Sequence, residues 1–264
     1  MQDGLEYLKK EYRDAKNIYS RIGLHERFSL NPYGWMHWIF DQLDLLPVCR
    51  ILELGCGPAT LWLENLERIP VGWDILLTDF SPGMLEQAQK NLAGKRPFRF
   101  QVVDAQELPL PFEDEAFDAV VANHMLYYIT DKPGLLRDIS RVLVSRGCFY
   151  ASTVGEQHLV ELVQLITRFD TRLAAWGVGT NPFTLENGKE LVARYFPDVT
   201  LRRYQDELAV TEVEPLLAYI RSSKLELEEE RLPQLEKYLE KEMERSGGVL
   251  RITKDSGIFV SIKS

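Results

Sequence analysis

The residues best suited to hold a ligand lie in a glycine-rich turn. The segment Ile51-Leu-Glu-Leu-Gly-Cys-Gly-Pro-Ala-Thr60 runs from an apolar strand pattern into Gly-x-Gly and then into a helical pattern. Glycines in such a turn let the backbone pass close to a ligand, and the following helix N-terminus offers free N–H groups. A dinucleotide fingerprint needs Gly-x-Gly-x-x-Gly. Thr60 occupies the third glycine position, so the pattern does not favour a dinucleotide.

Three carboxylates accompany this turn. Glu53 lies two residues before the first glycine, and Asp79 and Asp104 each directly follow an apolar strand pattern. Ligands of open parallel α/β sheets bind at the carboxyl ends of the strands, so we expect the three acids to meet in one crevice. A carboxylate at Glu53 would repel a pyrophosphate but suits an ammonium group. The other two suit a ribose diol and an adenine amino group.

Four motifs follow one another along the chain. They are Glu53-Leu-Gly-Cys-Gly57, Thr78-Asp-Phe-Ser-Pro-Gly-Met-Leu85, Val103-Asp-Ala-Gln-Glu-Leu-Pro-Leu-Pro-Phe112 and Phe117-Asp-Ala-Val-Val-Ala-Asn-His-Met-Leu126. In this order they resemble class I S-adenosylmethionine-dependent methyltransferases, most closely the type-11, UbiE-like group. The resemblance covers residues 50–153 and implies an α/β fold with a doubly wound, mostly parallel seven-stranded sheet. It also implies S-adenosylmethionine as cofactor and S-adenosylhomocysteine as product.

The resemblance implies a role for each motif residue. Glu53 would receive the methionyl ammonium, Asp79 the ribose hydroxyls and Asp104 the adenine amino group. The other implied cofactor-binding residues are Gly55, Cys56 and Gly57 in the turn, Phe80 and Met84 beside the adenine, Ala105 and Gln106 next to Asp104, and Asn123 at the methionine end. Structural alternatives stay open, because Asp79 could simply cap the following helix and Met84 could be a core residue.

The acceptor side is less defined by the sequence. His124 follows the fourth strand pattern and is the candidate catalytic residue, since a neutral imidazole could take a proton from a hydroxyl or amine. Its alternative is a histidine packed after a strand, because displacement at a sulfonium methyl depends mainly on alignment. Trp35 and Trp38 share a helical face and are interpreted as core in preference to a substrate cage. Candidate substrate or lid residues are Tyr19, Arg21, His25, Arg27, Tyr127 and Tyr128.

The remaining pattern must position these residues. Strands are predicted at 51–54, 74–78, 98–103, 117–122, 148–153, 199–204, 249–253 and 258–262, and helices at 5–22, 35–46, 59–68, 81–92, 133–144, 156–176, 185–196, 211–223 and 226–245. Alternating strands and helices indicate a parallel sheet with right-handed crossovers. We expect an N-terminal helical lid (1–46), a cofactor-binding core (47–154), and a helical cap with late strands that complete the same sheet (155–264).

Composition restricts the class of protein. Of 264 residues, 45% are hydrophobic and 27% charged, as in ordinary globular domains. The net charge of −9 supplies no basic face, so neither nucleic acid nor an anionic membrane is an expected partner. No apolar run approaches the roughly 18–20 residues that span a bilayer. The charged N-terminus has no signal-peptide core, so we expect a cytoplasmic protein.

The cysteines and histidines predict no metal site or disulfide framework. Cys49, Cys56 and Cys148 are far apart and form no Cys-x-x-Cys, and the four histidines are scattered. The expected function is methyl transfer from S-adenosylmethionine to a small organic acceptor, at oxygen first, then carbon or nitrogen. One alternative is a sensor or assembly protein that binds S-adenosylmethionine without catalysis. A less favoured alternative is an NAD-dependent oxidoreductase.

Overall fold

A computed structural model describes residues 12–173, 183–223 and 227–264. Within them a seven-stranded sheet has the order β3-β2-β1-β4-β5-β7-β6. The strands are β1 Val48–Leu54, β2 Gly72–Asp79, β3 Arg99–Val102, β4 Phe117–Asn123, β5 Leu143–Val154, β6 Asp198–Val210 and β7 Leu250–Ile262. β1 to β5 pair in parallel, and β7 runs antiparallel to both of its neighbours. The predicted doubly wound, mostly parallel α/β sheet is confirmed.

Helices cover both faces of this sheet and its carboxyl edge. They are α1 Lys16–Phe28, α2 Trp35–Asp41, α3 Thr60–Glu64, α4 Pro82–Leu92, α5 Lys132–Val142, α6 Val160–Phe169, α7 Gly188–Val192, α8 Val213–Arg221 and α9 Leu232–Arg245. Successive strand residues point to opposite faces. Ile51 therefore packs in a core with α3 and α4, whereas Leu52 packs in a second core with α5 and α7. In the described part of the chain, every helix is too short or too polar to cross a membrane.

The N-terminal prediction was wrong in one respect. Residues 5–11 of the predicted helix 5–22 lie outside the described residues, and α1 continues through Gly23 to Phe28. The glycine does not end the helix, because Leu24 and Phe28 beyond it are buried and anchor the next turn. Tertiary packing of this kind outweighs the roughly 1 kcal/mol cost of a helical glycine.

The predicted C-terminal strands 249–253 and 258–262 form one strand, β7. The polar stretch between them, Lys254 to Gly257, predicted a break. In the structure it pairs with β6 in unbroken register. Lys254 Nζ lies 2.7 Å from the directly opposite Asp206 Oδ2, and both side chains are buried. A cross-strand ion pair thus satisfies the charge that the pattern assigned to a loop.

The register of the late strands places the cap helices. β5 ends at Val154 opposite Ser256, but β6 and β7 stay paired as far as Val210 and Leu250. Because β6 runs parallel to β5, this two-stranded extension projects beyond the carboxyl edge of the sheet. α1, α6, α8 and α9 bury apolar side chains against it in one cluster. Three late helices, α6, α8 and α9, therefore lie beside the extension, whereas α7 packs on the sheet. The division into lid, core and cap at 46/47 and 154/155 remains a prediction.

Leu239 of α9 is fully buried in this cluster. We expect Leu239→Ala to lower the free energy of unfolding by about 2–5 kcal/mol, because it removes buried methyl groups and leaves a cavity. Leu46, which is 76% exposed, provides the matched control, and Leu46→Ala should change that free energy by about 0.5 kcal/mol or less. Equal urea midpoints for the two variants would show that α9 is not packed in the folded unit.

Candidate functional site

The glycine turn after β1 is held against β2. Gly55 and Gly57 have φ values of 68° and 53°, in the left-handed region that favours glycine. The backbone N–H of Cys56 donates to the carbonyl of Thr78 at 2.8 Å. A Cβ atom on Gly55 would lie 3.1 Å from Met125 Cβ. Glycine is thus required here both by the backbone conformation and by the close approach of the turn after β4.

Glu53 lies at the end of β1 and is 2% exposed. Its Oε2 accepts a hydrogen bond from Trp62 Nε1 at 2.5 Å, and its Oε1 accepts one from Asn123 Nδ2 at 3.3 Å. Burial, with a smaller contribution from the nearby Asp79 carboxylate, raises the pKa of Glu53 to about 7 against the opposing effect of the two hydrogen bonds. A cation beside Glu53 would therefore stabilise its charged form.

Asp79 ends β2 and bridges the glycine turn to the start of α4. Its Oδ2 accepts from the backbone N–H of Gly57 at 3.0 Å, and its Oδ1 accepts from that of Ser81 at 2.9 Å. Ser81, whose Oγ accepts from the N–H of Met84, is the N-cap of α4. Burial raises the pKa of Asp79 to about 6. Each carboxylate oxygen keeps a free lone pair, which suits a vicinal diol.

The residues that the resemblance assigns to the adenine lie at the end of the neighbouring strand, β3. The backbone N–H of Val103 donates to the carbonyl of Asp79 at 3.0 Å, which places Asp104 beside it. Asp104 Oδ1 accepts from the N–H of Gln106, and the Gln106 side chain accepts from the N–H of Thr130. The side chains of Ala105 and Met84 are buried, and that of Phe80 is half-buried.

The N-terminal segment crosses this edge of the sheet. Ile18 Cδ1 lies 3.5 Å from where a Cβ on Gly57 would be, so α1 covers the glycine turn. Arg21 Nη1 donates to the Tyr12 hydroxyl at 3.0 Å, and its Nε donates to Ser222 Oγ at 3.2 Å. The hydroxyls of Tyr12 and Tyr128 are hydrogen-bonded to each other. Arg21 and Tyr128 are thus joined across the crevice.

Two predicted lid residues have other partners. The Tyr19 hydroxyl accepts from Asn91 Nδ2 at 3.0 Å, and the same amide donates to the carbonyl of Pro58, so Tyr19 lies at the outer side of the glycine turn. Arg27 pairs with Glu212 at 2.5 Å, and both side chains are about half exposed. The structure thus places Arg27 in a surface ion pair, away from the crevice.

Three histidines from separate elements converge beyond Asn123. The rings of His25 and His158 stack with centroids 5.8 Å apart. His124 interacts electrostatically with both of them, and its ring lies 6.4 Å from that of Tyr127. In the described ranges no three His, Cys, Asp or Glu side chains are grouped to hold a metal ion. The three imidazoles and Tyr127 thus form one cluster of rings.

Burial keeps these imidazoles neutral. It lowers the pKa of His124 to about 4 and that of His158 to about 3, and it lowers the pKa of His25 well below its ordinary value. The Lys254 ammonium group contributes to the lowering of all three pKa values. His124 has φ 49°, a left-handed conformation that costs a non-glycine residue on the order of 1–2 kcal/mol. Its N–H donates to Ser152 Oγ at 3.1 Å and also to the Ser152 carbonyl, which holds it there.

Trp35 packs, partly buried, against the core around Ile51, in agreement with its interpretation from the sequence as a core residue. Its ring lies 5.3 Å from both His124 and Tyr204 and 5.4 Å from Trp38, yet its side chain stays half-buried. Its Nε1 has no hydrogen-bond partner among the described residues. Sequence reasoning missed His158, Tyr204 and Lys254. Because these residues come from separate elements, no spacing along the chain could have grouped them.

Comparison with known proteins agrees with this geometry. Residues 52–151 match the family model described as "Methyltransferase domain". A malonyl-[acyl-carrier protein] O-methyltransferase of Legionella pneumophila is 33% identical over 126 residues, which are 47% of this chain and 43% of the relative. A 2-phytyl-1,4-naphtoquinone methyltransferase of Trichormus variabilis is 36% identical over 137 residues, 49% of this chain and 60% of the relative. The chain thus spans about half the length of these curated relatives.

The fold is shared with solved structures as well. Haemonchus contortus phosphoethanolamine N-methyltransferase 2, solved with S-adenosylhomocysteine, superposes with a TM-score of 0.56 at 17% identity. The match covers 93% of this chain and 56% of the other. The structural match shows a shared fold. Residues 52–151 of this chain match the methyltransferase-domain family, in agreement with the four ordered motifs.

Proposed function

We propose that this chain transfers a methyl group from S-adenosylmethionine to a small organic acceptor, with oxygen as the target atom. The observation that carries the proposal is the placement of Glu53, Asp79 and Asp104 at the carboxyl ends of three adjacent strands. They surround a turn that only glycine fits. The set matches an ammonium, a ribose diol and an adenine amino group, and none of the three suits a phosphate.

The residues present fit the cofactor. Glu53 is buried without a cationic partner, and the solvent-shielded Asn123 Oδ1 has no hydrogen-bond partner among the described residues. When bound, S-adenosylmethionine supplies a methyl group on a positively charged sulfur. The chain's own task is then to align an acceptor with that methyl group and to exclude water. α1 and the cap helices supply the cover, and His124, next to Asn123, forms a hydrogen bond with the acceptor.

The alternatives fit less well. An oxidoreductase would place a pyrophosphate at the glycine turn, where Glu53 is buried and Thr60 replaces the third glycine. A non-catalytic binding protein needs no space beside the methionine end. Near His124, the Nε1 of Trp35 and the Nδ1 atoms of His25 and His158 lack hydrogen-bond partners among the described residues. These unpartnered atoms favour an enzyme with an acceptor site.

Calorimetry tests the ligand. We expect S-adenosylhomocysteine to bind and NAD to bind far more weakly, and the reverse preference would refute the proposal.

Asp79→Ala should weaken binding of S-adenosylhomocysteine about ten- to a hundredfold, since charged hydrogen bonds are worth about 1.5–3 kcal/mol. Asp74→Ala is the control, because Asp74 lies on the same strand but forms a surface ion pair with Arg99. Equal affinities of the two variants for S-adenosylhomocysteine would show that Asp79 has only a structural role.

The pKa of Glu53 predicts a pH dependence of cofactor binding. An ammonium group favours the carboxylate, so binding should strengthen as pH rises through about 7 and should release a proton. Titrations in buffers of different ionisation enthalpy measure that proton. Glu53→Gln should bind S-adenosylhomocysteine more weakly and lose the pH dependence in this range. A wild-type affinity that stays flat between pH 6 and 8 would contradict the assignment of Glu53.

His124 should act by alignment. Its pKa of about 4 makes it a weak base but a good hydrogen-bond acceptor. With a panel of phenols and carboxylic acids, release of S-adenosylhomocysteine should fall about tenfold or more in His124→Ala. His124→Gln, which keeps a hydrogen-bond acceptor, should recover most of the rate. A glutamine variant as inactive as the alanine variant would identify a general base instead. His37→Ala, at an exposed histidine, is the control.

A further inference from the structure

A cluster of aromatic and imidazole rings lies next to Asn123, on the side where the methionine end of the proposed cofactor would lie. We call it the imidazole pocket and define it by His25, His124, His158, Trp35 and Tyr204. It lies at the carboxyl edge, because His124 directly follows β4 and Tyr204 stands in register with the last residue of β5 through Ser256. Asn123, bonded to Glu53, links the pocket to the cofactor side.

The pocket contains polar atoms that the protein leaves unsatisfied. The Nδ1 atoms of His25 and His158 and the Nε1 of Trp35 are shielded from solvent, and none has a hydrogen-bond partner among the described residues. Buried polar groups in native proteins are almost always paired, so three such atoms in one cluster require an explanation. A ligand that fills the pocket would supply the missing partners.

The charges around the pocket determine what such a ligand can be. Lys254 is buried 5.3 Å from the centre of the Tyr204 ring, and its charge acts on all three imidazoles. The facing carboxylate, Asp206, has no free capacity. Its Oδ2 accepts from Lys254 Nζ and Ser29 Oγ, and its Oδ1 accepts from the N–H groups of Asn31 and Glu207. A cationic amine would find positive charge and no available counter-ion.

The same surroundings favour an anionic or acidic oxygen. The indole N–H of Trp35 can only donate a hydrogen bond. The N–H of the neutral His158 ring already bonds the Asp255 backbone, so the unpartnered Nδ1 of His158 is an acceptor and suits an acidic O–H. The rings of Trp35, Trp38 and Tyr204 lie about 5.3–5.4 Å apart and present flat apolar surfaces. The pocket therefore combines an indole hydrogen-bond donor, an imidazole acceptor, nearby positive charge and planar walls.

We propose that the imidazole pocket binds the acceptor through an acidic oxygen, a carboxylate or ionisable hydroxyl carried on a planar framework. This inference rests on the proposed function and specifies its substrate class. The pocket excludes amines by the saturation of Asp206 and the charge of Lys254. It selects oxygen acids through the otherwise unsatisfied indole N–H of Trp35.

The four histidines make the proposal directly measurable. In protein labelled with 15N-histidine and saturated with S-adenosylhomocysteine, each imidazole gives its own nitrogen signals. Benzoate, benzamide and benzylammonium serve as probes, since they share one ring and differ in charge. We expect benzoate to shift the signals of His25, His124 and His158 and to leave His37 unchanged. Benzamide should bind more weakly, and benzylammonium should not bind.

Two variants locate the contact. Trp35→Phe keeps the ring and removes only the N–H, so it should weaken benzoate binding about tenfold. His37→Asn, at the histidine outside the pocket, should leave benzoate affinity unchanged. The wild-type titration itself needs no substituted protein, so a variant that fails to fold does not remove the test.

Each contrary result overturns the proposal. Benzylammonium binding as tightly as benzoate would show that charge does not select the ligand. Benzoate that shifts His37 as much as the others, or that binds at no concentration tested, would show that the pocket is not its site. S-adenosylhomocysteine binding without any benzoate effect would refute this inference alone. Failure of S-adenosylhomocysteine to bind would refute the proposed function together with it.

Discussion

The structure depends on two carboxylates that are buried at the ends of adjacent parallel strands. Glu53 and Asp79 are both nearly inaccessible to solvent, and burial raises the pKa of each. Such a pair is costly unless hydrogen bonds or a cationic ligand offset the desolvation. Trp62, Asn123 and the backbone of the glycine turn supply hydrogen bonds, and a cationic ligand would supply the rest. The glycine turn, the ends of β1 and β2 and helix α3 are arranged so that they supply these hydrogen bonds to Glu53 and Asp79.

The other half of the crevice has the opposite electrostatic character. Its imidazoles are neutral and its buried ammonium group, Lys254, is matched by one fully engaged carboxylate. A sulfonium cofactor and an anionic acceptor would thus each meet complementary groups on their own side. Asn123 lies at the boundary, since its amide donates to Glu53 while the residue after it, His124, faces the aromatic rings. The reacting atoms would meet at this boundary.

The late strands create the second half of the site. A core that ended with β5 would leave the carboxyl edge open. The β6–β7 pair instead continues past the end of β5, and the buried Lys254–Asp206 pair lies in that continuation. α1, α6, α8 and α9 then pack on it and enclose the edge. The extension of β6 and β7 past β5 therefore brings together the buried apolar cluster beneath the cap helices, the Lys254–Asp206 ion pair and the imidazole pocket. It also joins α1 to the C-terminal half of the chain.

The sequence alone determined the cofactor half of this protein. Strands, turn glycines and strand-end acids lie within local motifs, and parallel strands carry their carboxyl ends to a common edge, so spacing along the chain predicts spacing in the fold. The acceptor half was decided by the tertiary structure. His25, His158, Tyr204 and Lys254 come from elements far apart in sequence, and no local pattern relates them. For the same reason only the tertiary structure showed that the core residue Trp35 has an unpaired N–H among the described residues. Only the tertiary structure likewise showed that Arg27 pairs with Glu212.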